Sequence, residues 1–233
     1  MSTTATAHEL TLIVAATTLM GIGKAGTLPW AGLQKEMAYF ARVTKKVPSA
    51  KTTSTLRQNV VIMGRKTWDS IPPRYRPLAD RINIVITRNK LVAGESNVMG
   101  EDDEKIKYHQ SRKNLIFVNS LESALEATTI SKTIKPERIF VIGGAQIYEA
   151  ALQMKEAKRI LLTRILNDFD FDTKFPLTLN QDGTVQGDAS YGWEKKSQKE
   201  LSQWTGETNS TAGVQEENDI QYLYEMWERN EDK

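Results

Sequence analysis

The sequence predicts an α/β fold: one domain over residues 1–233, with a core of about 10–228. A mostly parallel central sheet would be flanked by helices and completed by a C-terminal antiparallel strand. Three observations predict it. Six short β-branched or apolar runs recur along the chain, and such runs suit strands covered on both faces. Two of them pass through glycine directly into a helical segment, a pattern that suits phosphate binding in α/β folds. The last apolar segment, Ile220 to Trp227, instead alternates by twos, as an antiparallel strand does.

Composition removes several function classes. Lys and Arg number 31 against 29 for Asp and Glu, so a net charge of +2 gives no general attraction to nucleic acid or anionic membrane. Anions must be held by local clusters. The chain has no cysteine, which removes thiol nucleophiles, thiolate metal sites and disulfides together. Its two histidines, His8 and His109, support neither a serine–histidine triad nor a histidine metal site, so no metal is expected. The N-terminal residues lack the basic start of a secretory signal, and Leu10 to Ala16 is too short to span a bilayer. A soluble cytoplasmic protein is expected.

The first strand, Leu10 to Ala16, is expected to be central. After it, Gly21, Gly23 and Gly26 have the spacing of a dinucleotide fingerprint. Thr27-Leu28-Pro29 stands where that fingerprint needs a helix, and Pro29 pushes Leu28 toward extended geometry. Two readings remain, an ordinary turn or a loop lying over a site. A helix is predicted from Leu33 to Thr44, with Leu33, Met37, Phe40 and Thr44 as its apolar stripe. Glu36 falls inside that stripe with no basic residue three or four positions ahead, so it is either a solvated edge residue or a carboxylate aimed inward.

Lys45 to Gln58 is polar and reads as a loop. Asn59 to Gly64 is the second strand, followed by a short helix from Arg65 to Ile71 that stops at Pro72-Pro73. Arg65 and Lys66 at that helix start either meet a phosphate or are solvated surface charges. The third strand, Arg81 to Arg88, has an arginine at each end. Arg88, at the carboxyl end where ligands gather in parallel sheets, is a candidate cofactor-phosphate contact. Arg81 is a candidate carboxylate clamp, because its planar fork can hold a carboxylate by two bonds. Asn89 to Arg112 reads as a charged peripheral loop.

Leu115 to Val118 is the fourth strand, and Ser120 caps a helix from Leu121 to Thr128 whose Leu121, Ala124 and Leu125 face the core. The fifth strand, Arg138 to Ile142, runs into Gly143-Gly144-Ala145-Gln146-Ile147-Tyr148, a second glycine-started helix. Ile160 to Ile165 is the sixth, and its Thr163 needs a partner if buried. Asp168 to Gly187 is acidic and turn-rich, Lys199 to Asn218 is polar, and neither has metal-ligand spacing. The terminal strand puts Tyr222 and Tyr224 on one face, with Trp193 to Ser197 as its partner. No internal repeat or linker divides the chain. A Walker motif is absent, so the residues alone point to a phosphate-rich cofactor beside one carboxylate acid.

Several segments, in order, resemble dihydrofolate reductase: Ile13-Val14-Ala15-Ala16, Met20-Gly21-Ile22-Gly23, Leu28-Pro29-Trp30, Glu36 with Tyr39-Phe40, Val61-Ile62-Met63-Gly64-Arg65-Lys66-Thr67-Trp68, Ser70-Ile71-Pro72, Arg76-Pro77-Leu78 and Val141-Ile142-Gly143-Gly144. The resemblance covers about Leu10 to Pro176 and continues weakly into the terminal strand. Met37 and the lengthened loops are similar to the fungal enzymes.

The resemblance implies reduction of 7,8-dihydrofolate by NADPH, within one-carbon and thymidylate metabolism. Glu36 would bind the pterin and assist protonation of N5 through water, held by Thr163 and, through water, by Trp30. Carbonyls of Ile13 and Ile142 would accept from the pterin amino group. Val14, Met37 and Phe40 would line the pterin site, Ile71 and Leu78 would enclose the benzoyl part, and Arg81 would clamp the glutamate carboxylate. Ala15 and Ile22 would contact the nicotinamide. Gly144, Ala145, Gln146, Ile147 and Thr67 would hold the pyrophosphate, Arg65, Lys66 and Arg88 would take the 2′-phosphate, and Gly64, Thr87, Gly143 and Tyr148 would complete the cofactor site. The family has a cis peptide between the paired glycines. The resemblance also implies antifolate inhibition and a monomer. Two rivals are a related pyrimidine reductase of riboflavin synthesis and a catalytically silent pterin- or nucleotide-binding protein.

Overall fold

A computed structural model of the chain describes residues 9–48, 56–88, 109–112, 114–130, 134–207 and 212–230. Its elements run β1 (Leu10–Thr17), β2 (Gly21–Gly23), α1 (Gln34–Lys45), β3 (Leu56–Gly64), α2 (Arg65–Ser70), β4 (Arg81–Ile86), β5 (His109–Arg112) and β6 (Leu115–Val118). They continue with α3 (Leu121–Ile130), β7 (Ile134–Val141), α4 (Ala145–Leu152), β8 (Ala157–Ile165), β9 (Thr173–Lys174), β10 (Thr178–Leu179) and β11 (Val185–Gln186). The last are β12 (Trp193–Lys195), α5 (Gln198–Thr205), β13 (Gln215–Glu217) and β14 (Ile220–Arg229).

Among the described residues, ten strands form one sheet in the order β12-β14-β8-β1-β7-β3-β4-β6-β5, with β13 also on β14. Pairing is parallel from β8 through β6 and antiparallel at both margins. The α/β class, the central position of β1 and the antiparallel terminal strand agree with the sequence reading, as does β12 as the partner of β14. Strand alternation divides the core into two faces. Leu12, Val14, Ile62, Ile84 and Leu162 meet Leu121 and Ala124 of α3 and Tyr148 and Leu152 of α4. Ile13, Val61, Val85 and Leu161 face the other way, toward Tyr39 and Val43 of α1 and Leu201 of α5. Ser120 caps α3 as expected, its hydroxyl accepting from the Ser123 N–H at 3.1 Å.

Several local expectations are corrected. The inward face of α1 is Glu36, Tyr39, Val43 and Thr44, whereas Met37 is 52% exposed and Phe40 is half-buried. Leu33 is buried but stands at the N-cap, outside the helix. The helix is rotated this way because Tyr39 packs its ring 4.0 Å from that of Tyr224. At the other margin, His109–Arg112 is an edge strand on β6 rather than loop. The rest of that charged stretch, 89–108, lies outside the described residues, as do 49–55 of the polar loop before β3 and His8.

The polar stretch 199–218 is also structured where described. Ser197 and Glu200 form a reciprocal capping box at the start of α5, a Ser-x-x-Glu signal present in the sequence. Trp204 anchors that helix: the Arg138 guanidinium carbon stands 3.7 Å above its ring and that of Arg159 4.6 Å. The acidic stretch 168–187 contains β9, β10 and β11.

A buried ion pair locks β14 against β8. Arg164 and Glu225 are each 1% exposed at the side chain, and Arg164 Nη2 donates to Glu225 Oε2 at 2.7 Å while Nε donates to Oε1 at 3.1 Å. Lys195 of β12 adds a bond to Glu225 Oε1 at 2.7 Å. Burial alone would raise the Glu225 pKa, but hydrogen bonds and charge from Arg164 and then Lys195 outweigh it and hold the carboxyl below its ordinary value. Removing Arg164 would strand that carboxylate in the core. Arg164→Met is therefore expected to cost about 3–5 kcal/mol in urea unfolding, and Lys195→Met, at a partly exposed site, about 1 kcal/mol. Equal losses would show that the pair is not what ties the two strands.

Candidate active site

Glu36 is a carboxylate turned into the protein. It is 6% exposed, on the side of α1 that faces β8 and β14. The Thr163 hydroxyl donates to its Oε1 at 3.1 Å, which gives the one polar residue of β8 flagged by its sequence the partner it required. Sheet register makes this contact: Thr163 stands beside Ala15 of β1 on one side and Tyr224 of β14 on the other. Burial pushes the Glu36 pKa from 4.5 up to about 7, the Thr163 hydrogen bond opposes that rise, and the charge of Glu217 adds to it. The carboxyl is thus poised to hold or release a proton near neutrality.

The residues beside it on this core face come from β1 and α1, from the segments after β2, α2 and β7, and from the turn before β4. Trp30 is buried and packs against Phe169 at 5.9 Å between ring centroids. Ala15, Phe40, Ile71, Leu78 and Ile142 are half-buried against the same core face. The Ile13 carbonyl accepts from the Tyr148 hydroxyl at 2.7 Å. The structure does not bring the Val14 side chain to this face: it joins the opposite core, so only the backbone of Val14 can reach a ligand here.

Arg81 is fixed where β4 begins. Its Nη1 donates to Thr44 Oγ1 at 2.7 Å and its Nε to the Ala79 carbonyl at 3.0 Å. Asn83 sets the turn before it, accepting from the Leu78 N–H at 2.8 Å and donating back to the Leu78 carbonyl at 3.0 Å. Burial lowers the Arg81 pKa to about 10, opposed by the charge of Asp80, so the group stays cationic at neutral pH. A preoriented cation at the end of a hydrophobic wall can clamp a carboxylate.

The two glycine-started helices converge. Gly64 and Gly144 are the N-cap residues of α2 and α4, and the Gly64 N–H donates to the Gly143 carbonyl at 2.7 Å. A Cβ on Gly144 would stand 3.5 Å from Thr67 Oγ1, and one on Gly64 would stand 3.1 Å from Ile147 Cγ1. Gly143, at φ +103°, lies so close to the Tyr148 ring that a Cβ would come within 2.9 Å of it. The Gly143–Gly144 peptide is cis, as the resemblance implies. Helix-start N–H groups, the Thr67 hydroxyl and the space left by the glycines fit a pyrophosphate. Gln146 is exposed on the first turn of α4, while Tyr148 is buried beneath Gly143.

Arg65, Lys66 and Arg88 are exposed beside this cradle, with Thr87 half-buried, because Gly64 and Ile86 pair in register at the ends of β3 and β4. Arg65 donates to Asp69 at 2.7 Å, an exposed pair one helical turn apart. Three cations fit one further phosphate. The glycine loop after β1 is tied down: Gly21 and Gly23 pair with Lys174 and Thr173, and the Ala25 N–H donates to Asp172 Oδ2 at 2.7 Å. Half-buried Ile22 lies in this short ribbon. Phe169 and Asp172 were not marked by sequence periodicity, because their contacts are made across the fold.

A family model described as dihydrofolate reductase matches residues 9–203. The chain is similar to the dihydrofolate reductase of Pneumocystis carinii, 40% identical over 95% of this chain and 97% of that one. It is likewise similar to that of Cryptococcus neoformans, 37% identical over 99% of this chain and 100% of the other. Among solved structures, Schistosoma mansoni dihydrofolate reductase superposes with a TM-score of 0.66 at 27% identity, covering 96% of this chain and 99% of that one. With its model matched over most of the length and its fungal relatives matched nearly end to end, the chain belongs to the dihydrofolate reductase family.

Proposed function

We propose that this chain reduces 7,8-dihydrofolate to 5,6,7,8-tetrahydrofolate with NADPH, with Glu36 as the acid of the site. The observation that carries the role of Glu36 is its burial beside Thr163, which raises its pKa to about 7. NADPH, when bound, supplies the hydride that reaches C6 of the pterin.

The protein's share of the chemistry is placement and proton supply. Glu36 binds the pterin amino group and ring N3, and supports protonation of N5 through water. Thr163 holds the carboxylate, Trp30 orders that water, and the carbonyls of Ile13 and Ile142 fix the ring. Phe40 packs on the ring, Val14 contributes backbone and Met37 the exposed rim, while Ile71 and Leu78 enclose the benzoyl group and Arg81 binds the glutamate carboxylate. Ala15 and Ile22 bound the nicotinamide side. Gly64, Thr67 and the Gly143 to Tyr148 turn form the pyrophosphate cradle, with Arg65, Lys66, Thr87 and Arg88 at the 2′-phosphate. Among the described residues no helix is long and apolar enough to cross a membrane. Action as a cytoplasmic monomer, open to antifolates, completes the reading.

The decisive assay is dihydrofolate-dependent NADPH consumption by the chain and by Glu36→Gln. The variant is expected to lose most of its rate at neutral pH, on the order of 100-fold or more, while retaining NADPH binding. Full activity in it would remove the mechanism.

Stability supplies an independent check. A carboxyl whose folded pKa is raised binds its proton more tightly when folded, so its stabilisation is complete below 4.5 and is lost as pH rises through about 7. Glu36→Gln, which cannot ionise, should match the parent near about pH 4 and exceed it by about 3 kcal/mol near about pH 9. Urea unfolding at the two values reads this, and a constant difference would contradict the buried, raised carboxyl.

Cofactor discrimination tests the basic rim. Arg65→Ala combined with Arg88→Ala should raise KM for NADPH at least about tenfold, the loss of one or two charge-assisted bonds, and leave KM for NADH nearly unchanged. Equal losses would show that these arginines do not read the 2′-phosphate.

A further inference from the structure

The helix that carries the acid has no cap of its own. Leu33 stands at the N-cap of α1 and no side chain there bonds to the first turn, where Ser, Thr, Asp or Asn is usual. The missing acceptor comes from Glu217 in β13, 183 positions along the chain from Gln34. The Gln34 N–H donates to Glu217 Oε1 at 2.9 Å, and the Lys35 N–H donates to Oε2 at 2.9 Å and to Oε1 at 3.2 Å. Next to it, Asn218 Nδ2 donates to the Gly32 carbonyl at 2.7 Å, so one turn grips both sides of the helix start. That turn is anchored by β14, whose Tyr222 pairs with Gln215 and whose Tyr224 stands opposite Thr163. The strand that flanks the Thr163 partner of Glu36 therefore also carries the clamp on its helix.

Glu36 is the third residue of α1, the position from which a Glu side chain can fold back onto open N–H groups at a helix start. Here its carboxylate points to Thr163 instead, while Glu217 takes the Gln34 and Lys35 N–H groups. We propose that Glu217 is the positioning residue for Glu36: it fixes the first turn of α1 so that the Glu36 side chain is held toward Thr163. This rests on Glu36 being the acid of the reaction proposed above.

The groups that face Glu36 make Glu217 the charge that matters. Tyr39 on α1, Tyr148 on α4, and Tyr222 and Tyr224 on β14 are all held above the ordinary tyrosine value by burial first, so they are neutral at working pH. Thr163 on β8 is uncharged. Arg42, further along α1, is engaged by Glu207 through Nη2 at 2.8 Å. Removing the Glu217 charge leaves the positive helix start facing Glu36 uncompensated, which favours the ionised carboxylate.

The test is steady-state kinetics between about pH 5 and pH 9 on the parent, Glu217→Gln, Glu217→Ala and Glu217→Asp, with Tm measured alongside. In Glu217→Gln an amide oxygen remains as acceptor, so Tm should hardly move. Its pH–rate midpoint should shift downward by about 0.2–0.7 unit, with a matching loss of kcat at neutral pH. Glu217→Ala should shift it likewise and raise KM for dihydrofolate several-fold with KM for NADPH unchanged. Glu217→Asp keeps the charge and should restore the parent midpoint. Variants that lose Tm while keeping the parent midpoint and KM would reduce Glu217 to a helix cap and overturn the inference alone. A parent chain that does not consume NADPH with dihydrofolate would overturn the reaction and this inference with it.

Discussion

The site depends on one desolvated contact, the Thr163 hydroxyl donating to the Glu36 carboxylate. Removing a carboxylate from water is unfavourable, and in this protein the penalty appears as a proton held up to about pH 7. Had a lysine or arginine been placed against Glu36, the same burial would have produced an ion pair with a depressed pKa, as it does at Glu225. The two buried glutamates show how partner chemistry decides the outcome. Glu225 receives Arg164 and Lys195 and becomes a permanent structural anion, whereas Glu36 receives a neutral hydroxyl and can exchange a proton.

The paired glycine turns express a different constraint, close approach of backbone. Two parallel strands end side by side, each followed by a glycine-capped helix, and the Gly64 to Gly143 hydrogen bond brings the two helix starts together. At Gly143 any side chain would be forced into Tyr148, whose hydroxyl in turn reaches the Ile13 carbonyl. One tyrosine therefore couples the Gly143–Gly144 turn to the Ile13 carbonyl. Thr67 completes the cradle from the opposite helix.

Polar connections contribute more than their composition suggests. Asp172 takes the Ala25 N–H and so ties the glycine loop to the segment after β8. Glu217 and Asn218 grip the start of α1. Trp204 sits against two arginines beside the sheet. These contacts hold the elements that carry the site, although most of their residues lie in stretches without apolar periodicity.

The sequence by itself determined the six strands of the parallel sheet and both glycine-started helices, because strand runs, glycines and caps are local signals. It even contained the Ser197 and Glu200 cap that begins α5. Only the tertiary structure decided which way α1 faces. Its periodicity put Met37 and Phe40 on the buried side, whereas the ring contact between Tyr39 and Tyr224 turned Tyr39 inward. The same rotation turned Glu36 from a carboxylate of uncertain direction into a buried acid beside Thr163. Likewise, nothing near Leu33 announces that its helix is capped by Glu217. A contact spanning 183 positions exists only once β13 and β14 have paired, so no local pattern can encode it.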